Sequence, residues 1–177
     1  MNKIYAIALI LFVVVFAVAC SQTHTVSIQF ETNGGNSIST AKVNSESPQY
    51  LPPIPQKLGY VFENWYIDQS LSTIYNNDYL IDNKEFTLYA KYLSVEQTDY
   101  VIITFTTTGG TYIPNQTIAS GGVATKPENP TIEGQEFDKW TFYNLATGYY
   151  EDFDFTTVLT EHTQLDAVYI VTTDSKK

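Results

Sequence analysis

Gly59-Tyr60-Val61-Phe62-Glu63-Asn64-Trp65-Tyr66 recurs 75 residues later as Gly134-Gln135-Glu136-Phe137-Asp138-Lys139-Trp140-Thr141, with Gly, Phe and Trp in the same places. The same offset works outward in both directions. Upstream it pairs Val26, Ile28 and Phe30 with Val101, Ile103 and Phe105, and Gly34-Gly35 with Gly109-Gly110. It also pairs Ile38 with Ile113, Pro52 with Pro127 and Pro55 with Pro130. Downstream it pairs Tyr75 with Tyr150. Between Val26 and Tyr75, 14 of 50 ungapped positions are identical to their counterparts, where composition alone gives about three. After Tyr75 the second copy gains two residues, and Leu88, Ala90 and Tyr92 then pair with Leu165, Ala167 and Tyr169. A period this long exceeds that of solenoid repeats, so the chain reads as tandem small domains.

The residues within each copy indicate strands. Thr25 to Phe30 and Tyr100 to Phe105 alternate polar and apolar, the pattern of a half-buried strand. Each leads into a glycine pair, which tolerates positive φ and predicts a turn or a bulge. Second strands are expected near Ser37–Val43 and Tyr112–Ile118. Pro48, Pro52, Pro53 and Pro55, then Pro127 and Pro130, forbid a central strand or long helix in the segment that follows. Third strands open at Gly59 and Gly134. Their Phe and Trp are three apart, so a regular strand would place them on opposite faces. A bulge or bend is required to bring both into one core. Closing strands are expected at Phe86–Tyr92 and Thr163–Tyr169. No segment after the apolar start shows an amphipathic helix of usual length, so the class is mainly β.

The run Met1 to Cys20, MNKIYAIALILFVVVFAVAC, is an address. Lys3 precedes an apolar stretch from Ile4 to Ala19, the length of a signal-peptide core and short of the roughly 20 residues a bilayer span needs. Ala17 and Ala19 precede Cys20, the single cysteine. This resembles a bacterial lipobox, with Ala17 where Leu is preferred. Acylation at Cys20 is the reading taken here; an uncleaved membrane anchor and ordinary secretion are the alternatives. Two acyl chains hold a protein on a membrane, whereas one is marginal. The expected organisation is a signal peptide over 1–19, a tether over 20–23, modules over 24–93 and 100–171, a junction over 94–99 and a tail over 172–177.

The 177 residues carry 9 Lys and no Arg against 19 acids, a net charge of −10. Removal of residues 1–19 takes away Lys3 and no acid, which leaves 8 Lys against 19 acids, or −11. Such a surface repels anionic headgroups and offers nothing to a nucleic-acid backbone. One cysteine excludes internal disulfides and cysteine-based metal sites.

The order of strand, Gly-Gly, proline segment, Gly-x-x-Phe-x-x-Trp and closing Leu-x-Ala-x-Tyr resembles the Listeria–Bacteroides repeat, the internalin-type B-repeat. The first copy is close to Gly-Tyr-x-Phe-x-Gly-Trp-Tyr and departs at Asn64, where Gly is usual. The second departs at Gln135, Lys139 and Thr141. The resemblance implies two tandem β-grasp-like (α+β) modules after an N-terminal signal helix. It also implies an extracellular spacer or interaction role, with no catalytic residues and no cofactor.

Chemistry-bearing residues are few. His24 and His162 lack metal-ligand spacing, and Gly121-Gly122 lacks the Lys-Ser/Thr of a phosphate loop. Glu151-Asp152-Phe153-Asp154 places Asp152 and Asp154 on one face of an extended strand, a possible contribution to a calcium site weighed against ordinary strand-edge charge. Tyr60, Tyr66, Tyr149 and Tyr150 are candidates for a sugar- or peptide-binding patch, weighed against ordinary cross-strand pairing. Asn115-Gln116-Thr117 is a formal glycosylation sequon. The expected function is that of a non-enzymatic cell-surface lipoprotein whose repeats serve adhesion, spacing or partner binding. The alternative is glycan or peptide capture through exposed aromatics. A contiguous aromatic patch beside a groove favours capture, and a flat acidic surface favours spacing.

Overall fold

The computed structural model describes residues 23–47 and 50–172. The expectations for the signal segment, Cys20, Pro48 and the residues after 172 lie outside that range. The chain is mainly β, in two sheets that repeat one plan.

The first sheet contains β1 (Thr25–Glu31), β2 (Ala41–Asn44), β3 (Tyr60–Tyr66) and β4 (Glu85–Ser94), in the order β2-β1-β4-β3. The second contains β5 (Tyr100–Thr106), β6 (Gln116–Ala119), β8 (Gln135–Asn144), β9 (Tyr149–Asp152) and β11 (Thr163–Val171), in the order β6-β5-β11-β8-β9. A short pair, β7 (Gly122–Val123) and β10 (Val158–Leu159), stands beside it. In both sheets the central pair, β1 with β4 and β5 with β11, is parallel while its neighbours are antiparallel. The second strands start later than their alternation predicts. Asn36 and Thr111 are instead tied across to the proline segment, through Asn36 N–H to the Gln56 carbonyl and Thr111 N–H to the Thr131 carbonyl, each at 2.9 Å. The proline segments run extended, with Pro52, Pro55 and Pro130 buried. One helical turn, α1 (Tyr79–Asp82), buries Leu80 in the first core.

The expected bulge is present in both copies. Pairing of β3 with β4 jumps from Phe62 to Asn64, leaving Glu63 unpaired. Pairing of β8 with β11 jumps from Lys139 to Phe137, leaving Asp138 unpaired. The extra residue reverses the alternation, so Phe and Trp enter the same core. Phe30 and Phe62 lie 5.2 and 5.5 Å from the Trp65 ring, and Phe105 and Phe137 lie 5.1 and 5.4 Å from Trp140. Trp65 joins Val26, Ile28, Leu88 and Ala90. Trp140 joins Val101, Ile103, Phe105 and Leu165.

The glycine pair and the closing tyrosine lock together. Asn33 and Gly34 have φ of 47° and 88°, and Thr108 and Gly109 have 40° and 89°. Gly35 N–H and Gly110 N–H close these turns onto the Thr32 and Thr107 carbonyls at 2.9 and 3.0 Å. Both central φ values are positive, as in a type I′ turn. Those same two carbonyls also accept from Tyr92 Oη at 3.0 Å and Tyr169 Oη at 2.8 Å. A Cβ on Gly35 or Gly110 would come within 2.1 Å of the phenol oxygen. The second glycine is therefore required by a close approach.

One pairing read from the sequence is corrected. Tyr75 N–H bonds the Trp65 carbonyl, and the residue that bonds the Trp140 carbonyl in the same way is Phe153, not Tyr150, both at 2.9 Å. Trp65 to Tyr75 is ten residues and Trp140 to Phe153 is thirteen. The second copy therefore gains its length inside the hairpin of β8 and β9. Tyr75 is fully buried and Tyr150 is exposed.

The two modules meet at the first bulge. Asn64, only 1% exposed, donates from Nδ2 to the Asn115 carbonyl and accepts the Asn115 N–H at Oδ1, both at 2.9 Å. Asn115 Nδ2 donates to the Glu63 carbonyl at 2.8 Å. The Glu63 carboxylate is held by Lys91 at 2.8 Å and by the Thr117 hydroxyl at 3.1 Å. Tyr112 reaches into the first module and places its ring 5.7 Å from that of Tyr75. Burial pushes the Tyr112 and Tyr75 phenols above the usual range, and that of Tyr50 up to about 12.

Two outcomes are expected. Gly110→Ala destabilises by about 1–3 kcal/mol through overpacking, and urea unfolding shows a smaller loss in a Tyr169→Phe background, where the colliding oxygen is gone. Asn64→Ala leaves the Asn115 backbone N–H and carbonyl without their seam partners and costs about 1–3 kcal/mol by the same measurement; an unchanged midpoint means that the seam contributes nothing.

Candidate binding site

The longer hairpin of the second module carries the candidate site. Strands β8 and β9 pair Thr141 with Asp152, Phe142 with Glu151, Tyr143 with Tyr150 and Asn144 with Tyr149. Trp140 and Phe142 face the core, so Tyr143 and its directly opposite partner Tyr150 share the outer face. Their rings stand 5.3 Å apart, edge to face. Tyr149 is 74% exposed, Tyr150 63% and Tyr143 49%, and Leu145 at the tip is 87% exposed.

The tip is pinned by local bonds. Gly148, at φ 75°, donates its N–H to the Asn144 carbonyl at 2.8 Å. Asn144 Oδ1 accepts the Ala146 N–H at 2.9 Å. The Glu151 carboxylate accepts from the Thr147 hydroxyl at 2.7 Å and from Asn144 Nδ2 at 3.1 Å. These bonds, Thr147 first, hold the Glu151 carboxyl below its usual value. At the other end Asp152 pairs with Lys139 at 2.8 Å, which raises the Lys139 ammonium.

Beside the tyrosines lies an open hollow of about 640 Å³. The Tyr143, Leu145 and Tyr150 side supplies apolar surface. Glu161, His162, Gln164 and Asp166, from the start of β11 and the turn before it, supply polar groups. His162 Nδ1 accepts the Ile102 N–H at 2.9 Å, so this imidazole fastens the turn to the sheet. Gln164 Nε2 donates to the Asp166 carboxylate at 2.9 Å. The lining thus offers stacking faces together with amide and carboxylate acceptors.

The predicted tyrosine patch is divided. Tyr150 lines the hollow, Tyr149 is exposed on the same hairpin without lining it, and Tyr60 lies on the first module with Lys57 4.5 Å from its ring. Tyr66 is buried and reaches Glu63 at 3.4 Å, because the bulge turns it toward the seam. Asp152 and Asp154 are not together on one extended strand as the sequence suggested. β9 ends at Asp152, and Asp154 caps a turn by accepting the Thr156 N–H at 2.9 Å. Each carboxylate has its own partner, and among the described residues no three His, Cys, Asp or Glu converge on a metal position. His24 bonds the Asn83 carbonyl at 2.9 Å. Asn115 of the sequon has its side-chain nitrogen committed to the seam. Gly121 donates its N–H across to the Leu159 carbonyl at 2.8 Å, beside the β7–β10 pair. Tyr143, Leu145, Glu161, Gln164 and Asp166 were not singled out from the sequence. The signal was Tyr143-Asn144…Gly148-Tyr149, aromatics flanking an Asn and a Gly at hairpin spacing.

Loss of one Glu151 donor should be visible directly. With Thr147→Ala, the Glu151 carboxyl is expected to titrate closer to its ordinary 4.5 in a carboxyl-carbon NMR titration. The folded value lies below the unfolded one, so its contribution to the hairpin is present above pH 4.5 and fades as pH falls below it. An unmoved titration would mean that the tip is not held this way.

The model of the Listeria-Bacteroides repeat domain matches residues 27–91 and again 102–168. A protein of Evansella cellulosilytica named only as a membrane protein is 30% identical over 146 residues, 82% of this chain and 21% of that relative. A second from the same organism, named only as a Gly-rich membrane protein, is 29% identical over 114 residues, 64% of this chain and 13% of its own. The chain therefore spans about a fifth or less of the length of these relatives. Among the described residues no helix is long and apolar enough to cross a membrane. The two matched segments coincide with the two sheets and take in both Gly-x-x-Phe-x-x-Trp bulges, so this chain belongs to the Listeria-Bacteroides repeat family, in two tandem copies.

Proposed function

We propose that this chain is a non-enzymatic bacterial cell-surface lipoprotein, acylated at Cys20 and held on the extracellular face of the membrane, whose repeats bind a partner. The β-grasp-like reading of each module belongs with this proposal; its support is the parallel central pair flanked by antiparallel strands. Membership of a repeat family and the names of the relatives agree with a membrane-associated role without catalysis.

One observation favours binding over spacing alone. A spacer gains nothing from Tyr143, Tyr149 and Tyr150 exposed on a pinned hairpin beside a hollow. Aromatic side chains bring large contact area at little entropic cost, which is why they anchor recognition surfaces. The seam has a complementary part. It fixes the second module on the first, so a short tether positions both.

Two measurements test this reading. Cys20→Ala should move the protein from the membrane to the soluble fraction, and continued retention overturns the lipid anchor. A glycan and host-protein array probed with the acylated chain should give signals that Tyr149→Ala with Tyr150→Ala removes. Signals indifferent to these changes place binding elsewhere, and an array with none leaves spacing as the function.

A further inference from the structure

Resting on the binding role above, we propose that the hollow beside Tyr143 and Tyr150 takes a basic peptide segment, with a Lys or Arg side chain seated between the two rings and the carboxylates of Asp166 and Glu161. The occupant is argued from charge. The lining holds Glu161 and Asp166 and no lysine, and the chain has no arginine. Lys139 stands on the same face of β8 as Tyr143 and is already engaged by Asp152 at 2.8 Å. Asp166 has one neutral partner, Gln164, and the amide bond leaves its charge uncompensated. An anionic ligand would meet two carboxylates and a field from a chain of net charge −10. A cation meets the reverse, and the tyrosine faces add cation–π attraction.

The size and build of the hollow agree. Its volume of about 640 Å³ accommodates a long side chain with flanking backbone. Gln164 Oε1 and His162 Nε2 line it with groups able to bond a peptide backbone. A neutral sugar would use the stacking faces and leave both carboxylates unpaired with opposite charge. The first module has no equivalent. Its corresponding hairpin is three residues shorter, with one bridge from Tyr66 to Ile74 in place of a ladder.

The test uses the isotope-labelled full chain in zwitterionic micelles. The probes are acetyl-Gly-Lys-Gly-Lys-Gly-amide, the same peptide with Glu for Lys, and chitotetraose. The lysine peptide should shift the backbone amides of Tyr143, Tyr150, Gln164 and Asp166 in NMR spectra. Its affinity should fall by about tenfold with Asp166→Asn or Tyr150→Ala, and should weaken as salt rises from about 50 to 500 mM. Glu161→Gln, at an exposed position, is a second variant that leaves the fold intact and should weaken binding in the same direction. Equal binding of the glutamate peptide, or affinity indifferent to all three variants, overturns the inference. Shifts from chitotetraose alone also overturn it while sustaining the binding role proposed above. If none of the three probes perturbs the hollow, the inference falls together with the site.

Discussion

An extra residue in the third strand of each module is the constraint on which the rest of the structure depends. The three-residue spacing of Phe and Trp cannot place both in one core without it, and Glu63 and Asp138 absorb the mismatch. The consequences reach beyond the core. A bulge re-aims the side chains that follow, and the residue after it is Asn64 in one copy and Lys139 in the other. Asn64 becomes the buried joint to the second module, and Lys139 holds β9 through Asp152. Both are departures from the glycine usual at this place in the family. The departures mark where the modules have specialised.

Specialisation is clearest in the hairpin after tryptophan. In the first copy it is short, closed by the Asp68 carboxylate accepting N–H bonds from Ser72 and Thr73, with Leu71 at φ 55°. The chain then delivers Tyr75 to the core and turns through α1. In the second copy three more residues build a four-pair ladder. Phe153 takes the place of Tyr75, and the aromatics gained on the way face outward. The tryptophans diverge as well. Trp65 Nε1 donates to the Pro53 carbonyl at 3.0 Å, whereas Trp140 Nε1 is buried with no hydrogen-bond partner. Among the described residues each module thus holds one buried side-chain polar atom without a partner, Tyr50 Oη in the first and Trp140 Nε1 in the second, and the first receives Tyr112 of its neighbour.

Much of the fold was legible because its determinants are local and repeated. Alternation marked β1 and β5, the glycine pairs marked the turns, and Phe-x-x-Trp demanded the bulge. What alignment by a constant offset missed was where the insertion falls. Tyr75 and Tyr150 match as letters, but backbone pairing to the tryptophan carbonyl chooses Phe153, and no residue type announces a ladder register. The seam was also hidden. Asn64 and Asn115 are 51 residues apart, and their mutual bonds follow from how two modules dock, a long-range relation that no periodicity encodes. The site was half legible: Tyr150 stood out by type, whereas Asp166 and Gln164 belong to a strand across the sheet.

The position of the hollow follows from the same economy of strands. In the second sheet β9 is an added edge, and extending β8 to meet it carries Tyr143 and Tyr150 past the point where the first module turns inward. Among the described residues no layer faces them, so aromatics placed there are exposed. The charge nearby is arranged to match. Lys139 neutralises Asp152 at the base of the hairpin and Thr147 with Asn144 satisfies Glu151 at its tip, while Glu161 and Asp166 are left to face the hollow. Local bonds thus satisfy the acids that shape the hairpin and leave unneutralised those that line the space beside it. That division is the physical basis of the recognition role proposed for this surface.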